Sequence, residues 1–150
     1  MKLDNTVAPK YYVEVVGFTG TQLGMTKRQE TRVRELLHSL SPSKIIHGDC
    51  VGADAQTHDI AEDLGIEIAI KPCTIRNKRA FKSASSVAKP EDPLERNKKI
   101  VEESDLVIAC PKEPKSTLRS GTWSTVRHAK KTEIPVWIIY PDGSEDPPVL

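Results

Sequence analysis

Asp105-Leu-Val-Ile-Ala-Cys110, followed by Arg119-Ser120-Gly121-Thr122-Trp123 and the helical pattern Ser124 to Lys131, is the stretch that decides the fold. The first six residues form an apolar run of strand length. The next five are a small-residue turn, and a helix follows. A turn between a buried strand and a helix start leaves backbone N–H groups without helix partners. The helix dipole adds partial positive charge at the same point. Such a turn binds phosphate or another anion, and Arg119 adds a full charge with forked donors beside it. Two turns of the same kind precede it, Gly17-Phe-Thr-Gly20-Thr21-Gln22 and Gly48-Asp49-Cys-Val-Gly52-Ala-Asp54.

Working outward, strand and helix patterns alternate. Tyr11 to Val16 predicts a first strand. Thr26 with Gln29 forms a capping-box pattern, and Val33, Leu36, Leu37 and Leu40 mark the buried stripe of the helix that follows. Lys44 to His47 predicts a second strand, Ala53 to Leu64 a helix, and Ile66 to Ile70 a third strand. Leu94 to Ser104 predicts a helix, Asp105 to Cys110 a fourth strand, Thr122 to Thr132 a helix, and Pro135 to Tyr140 a fifth strand. Strands separated by single helices imply an α/β fold with a parallel sheet covered on both faces. Residues 1–10 stand before the first strand as an extension, and residues 143–150 are expected to form a flexible acidic tail.

The 150 residues fit one domain with a core of useful size. Hydrophobic content of 37% and charged content of 29% suit a globular chain. The net charge of +1 provides no overall field for nucleic acid or membrane. No apolar stretch reaches the ~20 residues of a membrane span, and Met1 to Lys10 lack the apolar segment of a signal peptide. Three widely spaced cysteines, Cys50, Cys73 and Cys110, argue against a disulfide framework and for a cytoplasmic location. They lack C-x-x-C spacing, so no metal site is expected.

In an open parallel sheet, all strand-to-helix turns lie on one edge, where such sheets bind ligands. Thr19, Thr21 and Gln22 offer neutral donors and acceptors there. Asp49 could hold a ribose hydroxyl. Asp54 stands at a helix start, where it either caps the helix or faces the site. His47 is either a hydrogen-bonded core histidine or a site residue, and Trp123 either stacks on a base or fills the core. His38, His58 and His128 fall on helical patterns and are expected at the surface. The segment from Cys73 to Pro93 is too long for a passive connection. It carries Arg76, Lys78, Arg79, Lys82 and Lys89, and is either a solvated basic loop or a lid over an anion. Neither the dinucleotide G-x-G-x-x-G nor the nucleotide G-x-x-x-x-G-K-[ST] motif occurs, and there is no G-x-S-x-G elbow.

Gly17-Phe-Thr-Gly20, His47-Gly48-Asp49-Cys-Val-Gly52-Ala-Asp54, Arg96-Asn97 and Arg119-Ser120-Gly121-Thr122 occur in an order that resembles the SLOG superfamily. Its members are Rossmann-like nucleotide-binding proteins related to the Lonely Guy cytokinin-activating enzymes and to DNA-processing protein A. The chain is most similar to their small bacterial and phage members, over roughly residues 11–142. The resemblance implies a single three-layer domain with a five-stranded parallel sheet in order 3-2-1-4-5. It also implies homo-oligomers, no added cofactor, and a nucleotide or nucleotide-derived ligand at the carboxyl edge. Gly121 and Thr122 match the phosphate turn, and Arg96 matches an arginine close to substrate. The Lonely Guy enzymes carry P-G-G-x-G-T-x-x-E, whose glutamate takes part in cleaving an N-glycosidic bond. Here Thr125 stands in its place and Arg119-Ser120 replaces the paired glycines. Asp49 or Glu95 could substitute only if the fold brought one near the ribose.

Three functions are therefore carried forward. The first is binding of a phosphorylated nucleoside or of a cyclic or NAD-derived signal. The second is N-glycosidase action on nucleoside 5′-monophosphates. The third is nucleic-acid binding through the 76–89 loop. The missing glutamate favours the first over the second, and the small net charge disfavours the third.

Overall fold

The computed structural model describes residues 13–149. The extension at residues 1–10 lies outside the described residues, as do the first two residues of the predicted first strand. The elements run β1 (Val15–Gly20), α1 (Lys27–Leu40), β2 (Lys44–His47), α2 (Ala53–Asp63), β3 (Glu67–Ile70), a 3-10 turn (Arg76–Lys78) and β4 (Ser86–Val87). Then come α3 (Pro93–Glu102), β5 (Leu106–Cys110), α4 (Gly121–Lys131), β6 (Val136–Ile139) and β7 (Glu145–Asp146).

All of these strands form one sheet, in the order β4-β3-β2-β1-β5-β6-β7. Every pairing is parallel except β6 with β7. The α/β class and parallel sheet are as expected, but the described residues hold seven strands rather than five. The five longest strands follow 3-2-1-4-5, and a two-residue strand is added at each edge.

The strand β5 shows why the opening stretch carries so much weight. All five of its residues are buried. Leu106, Ile108 and Cys110 join the core beneath α1 and α2, with Val33, Leu37 and Ile60. Val107 and Ala109 face the other way, into the core formed with Trp123, Val126 and Ala129 of α4. A central strand covered on both faces needs an unbroken apolar run, because alternation would bury polar groups.

Three differences from the sequence reading have local causes. First, β1 begins and ends four residues later than predicted, so Gly17 to Gly20 lie within a strand and not in a turn. Gly17 pairs with Val107 and Gly20 with Cys110. A side chain on Gly17 would collide with Ser104 Oγ beneath α3. Glycine is thus selected there by close packing, although its low strand propensity suggested a turn.

Second, the segment from Cys73 to Pro93 is built into the domain. Ser86 and Val87 pair with Ala69 and Ile70, Cys50 bridges Arg79, and Cys73 bridges Glu91. Third, the acidic end is not a loose tail at residues 145 and 146. The Trp137 indole N–H donates to Glu145 at 2.8 Å and Arg32 Nε donates to it at 2.6 Å. Both donors sit at partly buried positions and need an acceptor, which draws Glu145 alongside β6.

The carboxyl edge is shaped by contact between two turns. Ala53 N donates to Thr21 O at 2.9 Å, which brings the start of α2 against the loop after β1. Gly52, with φ of 89°, lies so close that an added Cβ would clash with the backbone carbonyls of Thr21 and Gln22. Gly65 also has positive φ, at 72°, but has nothing near that position. Gly65→Ala is therefore expected to cost about 1 kcal/mol from backbone strain alone. Gly52→Ala should cost about 3 kcal/mol or more, because a clash with backbone is added. Urea denaturation of the two variants measures the difference, and equal losses would contradict the tight contact between the turns.

Candidate functional site

The carboxyl ends of β1, β2 and β3, the start of α3 and the start of α4 enclose a cleft of about 390 Å³. Ten of the residues selected from sequence line it: Thr19, Gly20, Gln22, Gly48, Asp54, Arg96, Asn97, Arg119, Gly121 and Thr122. Phe18, Cys50, Cys73, Lys78, Pro93 and Ile100 complete its wall. Of these six, only Lys78 had a legible signal, in the charge of its loop. The others are apolar or thiol side chains that sequence does not distinguish from core.

Six selected residues do not line the cleft, and each has another engagement. Gly17 packs beneath α3. The Thr21 hydroxyl accepts from Leu23 N, and its carbonyl accepts from Gly24 N and Ala53 N. Gly52 is the N-cap of α2. Ser120 is the N-cap of α4, its hydroxyl accepting from Trp123 N at 3.1 Å. Trp123 is buried, packs near Tyr140 and donates its indole N–H to Glu113 O. It fills the core beneath the turn and does not face the cleft.

Asp49 is the sixth, and the ribose-holding role expected for it meets a competing one. It is fully buried, with φ of 60°. Its carboxylate accepts from Arg79 Nε at 3.2 Å, from Phe81 N at 3.2 Å and from Lys82 N at 3.0 Å. A carboxylate can accept about four hydrogen bonds, and three are already in place. Asp49 therefore fastens the loop after β3 to the turn after β2.

Beneath that turn runs a buried histidine pair. Asp49 N donates to His47 Nδ1 at 2.9 Å, so the His47 proton resides on Nε2. That nitrogen lies 2.9 Å from His58 Nδ1, which must accept. The proton of His58 is then on Nε2, facing Glu62 at 3.7 Å. Burial first, then the neighbouring His58 and the cations Arg96 and Lys82, lower the pKa of His47 to about 3. Burial thus keeps the His47 ring neutral, and the hydrogen bonds of the pair tie the turn after β2 to α2. His58 is buried, contrary to the surface position read from its helical spacing.

Arg96 reaches from α3 across the floor of the cleft and is 6% exposed. Its Nη1 donates to Gly48 O at 2.7 Å and to Lys71 O at 3.0 Å, and Nε donates to Asn97 Oδ1 at 2.8 Å. Nη2 lies 3.6 Å from Cys50 Sγ. Four of its five N–H groups thus serve protein acceptors, two of them on carbonyls at the ends of adjacent strands. Gly48 has no Cβ because the guanidinium occupies that space.

Asp54 is the most distinctive group in the cleft. Its Oδ2 accepts from Gly48 N and Cys50 N, each at 3.1 Å. Its Oδ1 is buried and has no partner. Asp54 is thus not a cap for its own helix. Burial raises its pKa to about 6, against the opposing pull of the two N–H groups and Arg96. Burial likewise pushes the Cys50 thiol up to about 12, which favours its protonated form.

The mouth of the cleft has the complementary charge. Arg119 and Gly121 are exposed. An added Cβ on Gly121 would meet no protein atom. The N–H groups of Gly121 and Thr122, in the first turn of α4, have no partner from the helix itself. Lys78 faces the same space from the loop after β3.

No protein-family model and no curated protein matches the sequence. Solved structures resemble the fold. The molybdenum cofactor binding protein from the phototrophic bacterium Rippkaea orientalis superimposes with a TM-score of 0.66 at 19% identity, over 88% of this chain and 78% of that one. DNA processing protein A from Streptococcus pneumoniae gives 0.65 at 19% identity over 83% of this chain. This chain spans only half (50%) of that protein's length. The structural-genomics target TM1055 gives 0.61 at 15% identity, over 82% of this chain and 72% of that one. The fold is Rossmann-like. No helix among the described residues is long and apolar enough to cross a membrane.

The raised pKa of Asp54 has a consequence for stability. Its carboxyl titrates near 3.8 when unperturbed and near 6 in the fold. Ionisation is disfavoured by folding, so the cost is absent below pH 3.8, grows as pH rises, and is complete above about 6. It amounts to about 2–3 kcal/mol. Asp54→Asn is expected to be more stable than the parent at pH 8 by up to that amount, with the advantage vanishing near pH 4. Chemical denaturation at both pH values checks this, and an equal effect at each would contradict it.

Proposed function

We propose that this chain is a nucleotide-binding module of the SLOG type. It takes a phosphorylated nucleoside, or a cyclic or NAD-derived relative, in the cleft at the carboxyl edge. One observation carries the reading: the first turn of α4 opens at Gly121 onto unfilled cleft space, with Arg119 and Lys78 beside it. Free N–H groups, a helix dipole and two mobile cations suit a phosphate. Asn97, Gln22 and Thr19 line the remaining wall and offer neutral hydrogen bonds to a sugar or base. The Rossmann-like neighbours support this reading, since one of them is described as a cofactor-binding protein. Mass spectrometry of small molecules released by denaturing the purified protein would identify the ligand.

Binding without cleavage is the better supported form of the proposal. Thr125 is buried, and its hydroxyl donates back to Gly121 O at 2.9 Å. It supplies no carboxylate to an oxocarbenium-like centre. Neither of the alternative carboxylates is well placed. Asp49 is committed to the 79–82 loop, and Glu95 is exposed beside Lys98. Nucleic-acid binding through the 76–89 loop has less support, because Arg79 and Lys82 are already paired with Asp49 and Asp59.

Association of copies is part of the same proposal. Leu23, Leu94 and Leu118 are exposed, and each adjoins a residue of the cleft wall. A second copy laid over the mouth would cover them. Light scattering at micromolar concentration tests this, and a monomer with and without ligand would refute it.

Substitutions at the α4 turn test the phosphate site. Gly121→Val should fold normally, since its side chain meets only empty space, but should block the approach of phosphate. Arg119→Ala should lose on the order of 1.5–3 kcal/mol of binding if its charged hydrogen bond is desolvated. Calorimetric titration against a panel of nucleoside monophosphates measures both. Affinities that match the parent protein would remove the phosphate from this turn.

A further inference from the structure

The side-chain oxygens of Asp54 are treated differently by the fold. Oδ2 is held by two backbone N–H groups from the turn after β2. Those bonds also fix the rotation of the carboxyl group, so Oδ1 cannot turn to find a donor. Oδ1 is left buried and without a partner, on a residue that is 4% exposed and lines the cleft. Arg96 directs its hydrogen bonds to Gly48 O, Lys71 O, Asn97 Oδ1 and Cys50 Sγ. The Cys50 thiol, a weak donor, is directed at Gly48 O. A buried acceptor with no partner is costly, and native folds leave few of them.

We infer that Asp54 Oδ1 is the cleft's acceptor for a hydrogen-bond donor on the ligand, either a sugar hydroxyl or a base N–H. The site then takes a phosphorylated compound bearing such a sugar or base donor and discriminates against anions that carry neither, such as pyrophosphate. The inference rests on the proposed phosphate site at the α4 turn and adds the chemistry required at the other end of the ligand. A site built to receive a donor rejects an analogue that lacks it, because the buried group is then left unpaired. Asp54 is ionised above about pH 6, so at neutral pH it is a charged acceptor and repels a second phosphate. The other titratable or charged groups lining the cleft are Cys50 from the β2–α2 turn, Cys73 and Lys78 from the loop after β3, Arg96 from α3 and Arg119 before α4.

Calorimetric titration at pH 7.5 tests the inference with inorganic phosphate, pyrophosphate, ribose 5-phosphate and nucleoside monophosphates as probes. In Asp54→Asn, inorganic phosphate should bind within about twofold of the parent, and pyrophosphate equally or more tightly. The nucleoside monophosphates should weaken by about tenfold. A parallel loss for ribose 5-phosphate assigns the donor to the sugar, and its absence assigns it to the base. Nucleoside monophosphates and ribose 5-phosphate that bind both forms equally, while inorganic phosphate still binds, overturn the inference alone. A parent protein that binds no probe overturns the phosphate site and the inference together.

Should Asp54→Asn not fold, NMR of the Asp54 carboxyl carbon in the parent protein decides. Its titration midpoint should be lower by about half a pH unit or more with the tightest nucleoside monophosphate than with inorganic phosphate, because a donor favours the ionised form. Equal midpoints in the two complexes overturn the inference.

Discussion

The seating of Arg96 in the space left by Gly48 is the constraint on which the carboxyl edge depends. One guanidinium nitrogen joins Gly48 O, just beyond β2, to Lys71 O, just beyond β3. Parallel strands have no hairpin to hold their ends together, so the carbonyls that emerge past the ladder need other donors. Arg96 supplies them from α3, on the opposite side of the cleft from α2. Its planar fork is suited to two acceptors at once, and a lysine would not reproduce it. Without that link, the turn from Gly48 to Asp54 would have no fixed position relative to α3. Asp54, which depends on the same turn for both of its hydrogen bonds, would lose its orientation as well.

This arrangement separates two kinds of residue that look alike in sequence. Asp49 and Asp54 are both acidic, both in the turn after β2, and both buried. Asp49 has its oxygens filled by the 79–82 loop, so its charge is used to build the wall. Asp54 has one oxygen filled and one open, so its charge is partly unspent. The difference lies in donors supplied from 30 residues further along the chain. Spacing within the turn could not reveal it, because those donors come from a loop distant in sequence.

Much of the rest was legible for identifiable reasons. The run from Leu106 to Cys110 announces a strand buried on both faces, because nothing else explains five consecutive apolar residues ending at a turn. Thr26 and Gln29 announce the start of α1, and both halves of the capping box are present. Their second role was not legible: Gln29 is buried and its amide also bonds Pro111 O and Ile139 O, tying α1 to the ends of β5 and β6. The edge strands were missed because each is only two residues long. Their surroundings are set from far along the chain: Asp49 holds residues 79–82 ahead of β4, and Trp137 and Arg32 hold Glu145 of β7. The end of β1 was misplaced because Gly17 looks like a turn residue until Ser104 is placed against it.

The buried carboxylate bears on chemistry as well as binding. A folded chain tolerates an unpaired acceptor at some cost to stability, and such costs concentrate where ligands bind. That argument supports a site without requiring catalysis. Groups that grip a ground-state ligand as firmly as a transition state do not accelerate a reaction. In this cleft Arg96 is fixed by the protein's own acceptors, and the N–H groups at the start of α4 are set by the helix. Cys50 is held protonated by its burial, and His47 is neutral but enclosed, with both ring nitrogens occupied by Asp49 and His58. Asp54 is the one cleft carboxyl whose proton moves near neutral pH. Held by Gly48 and Cys50, its carboxyl keeps one oxygen fixed and leaves the other without a protein partner.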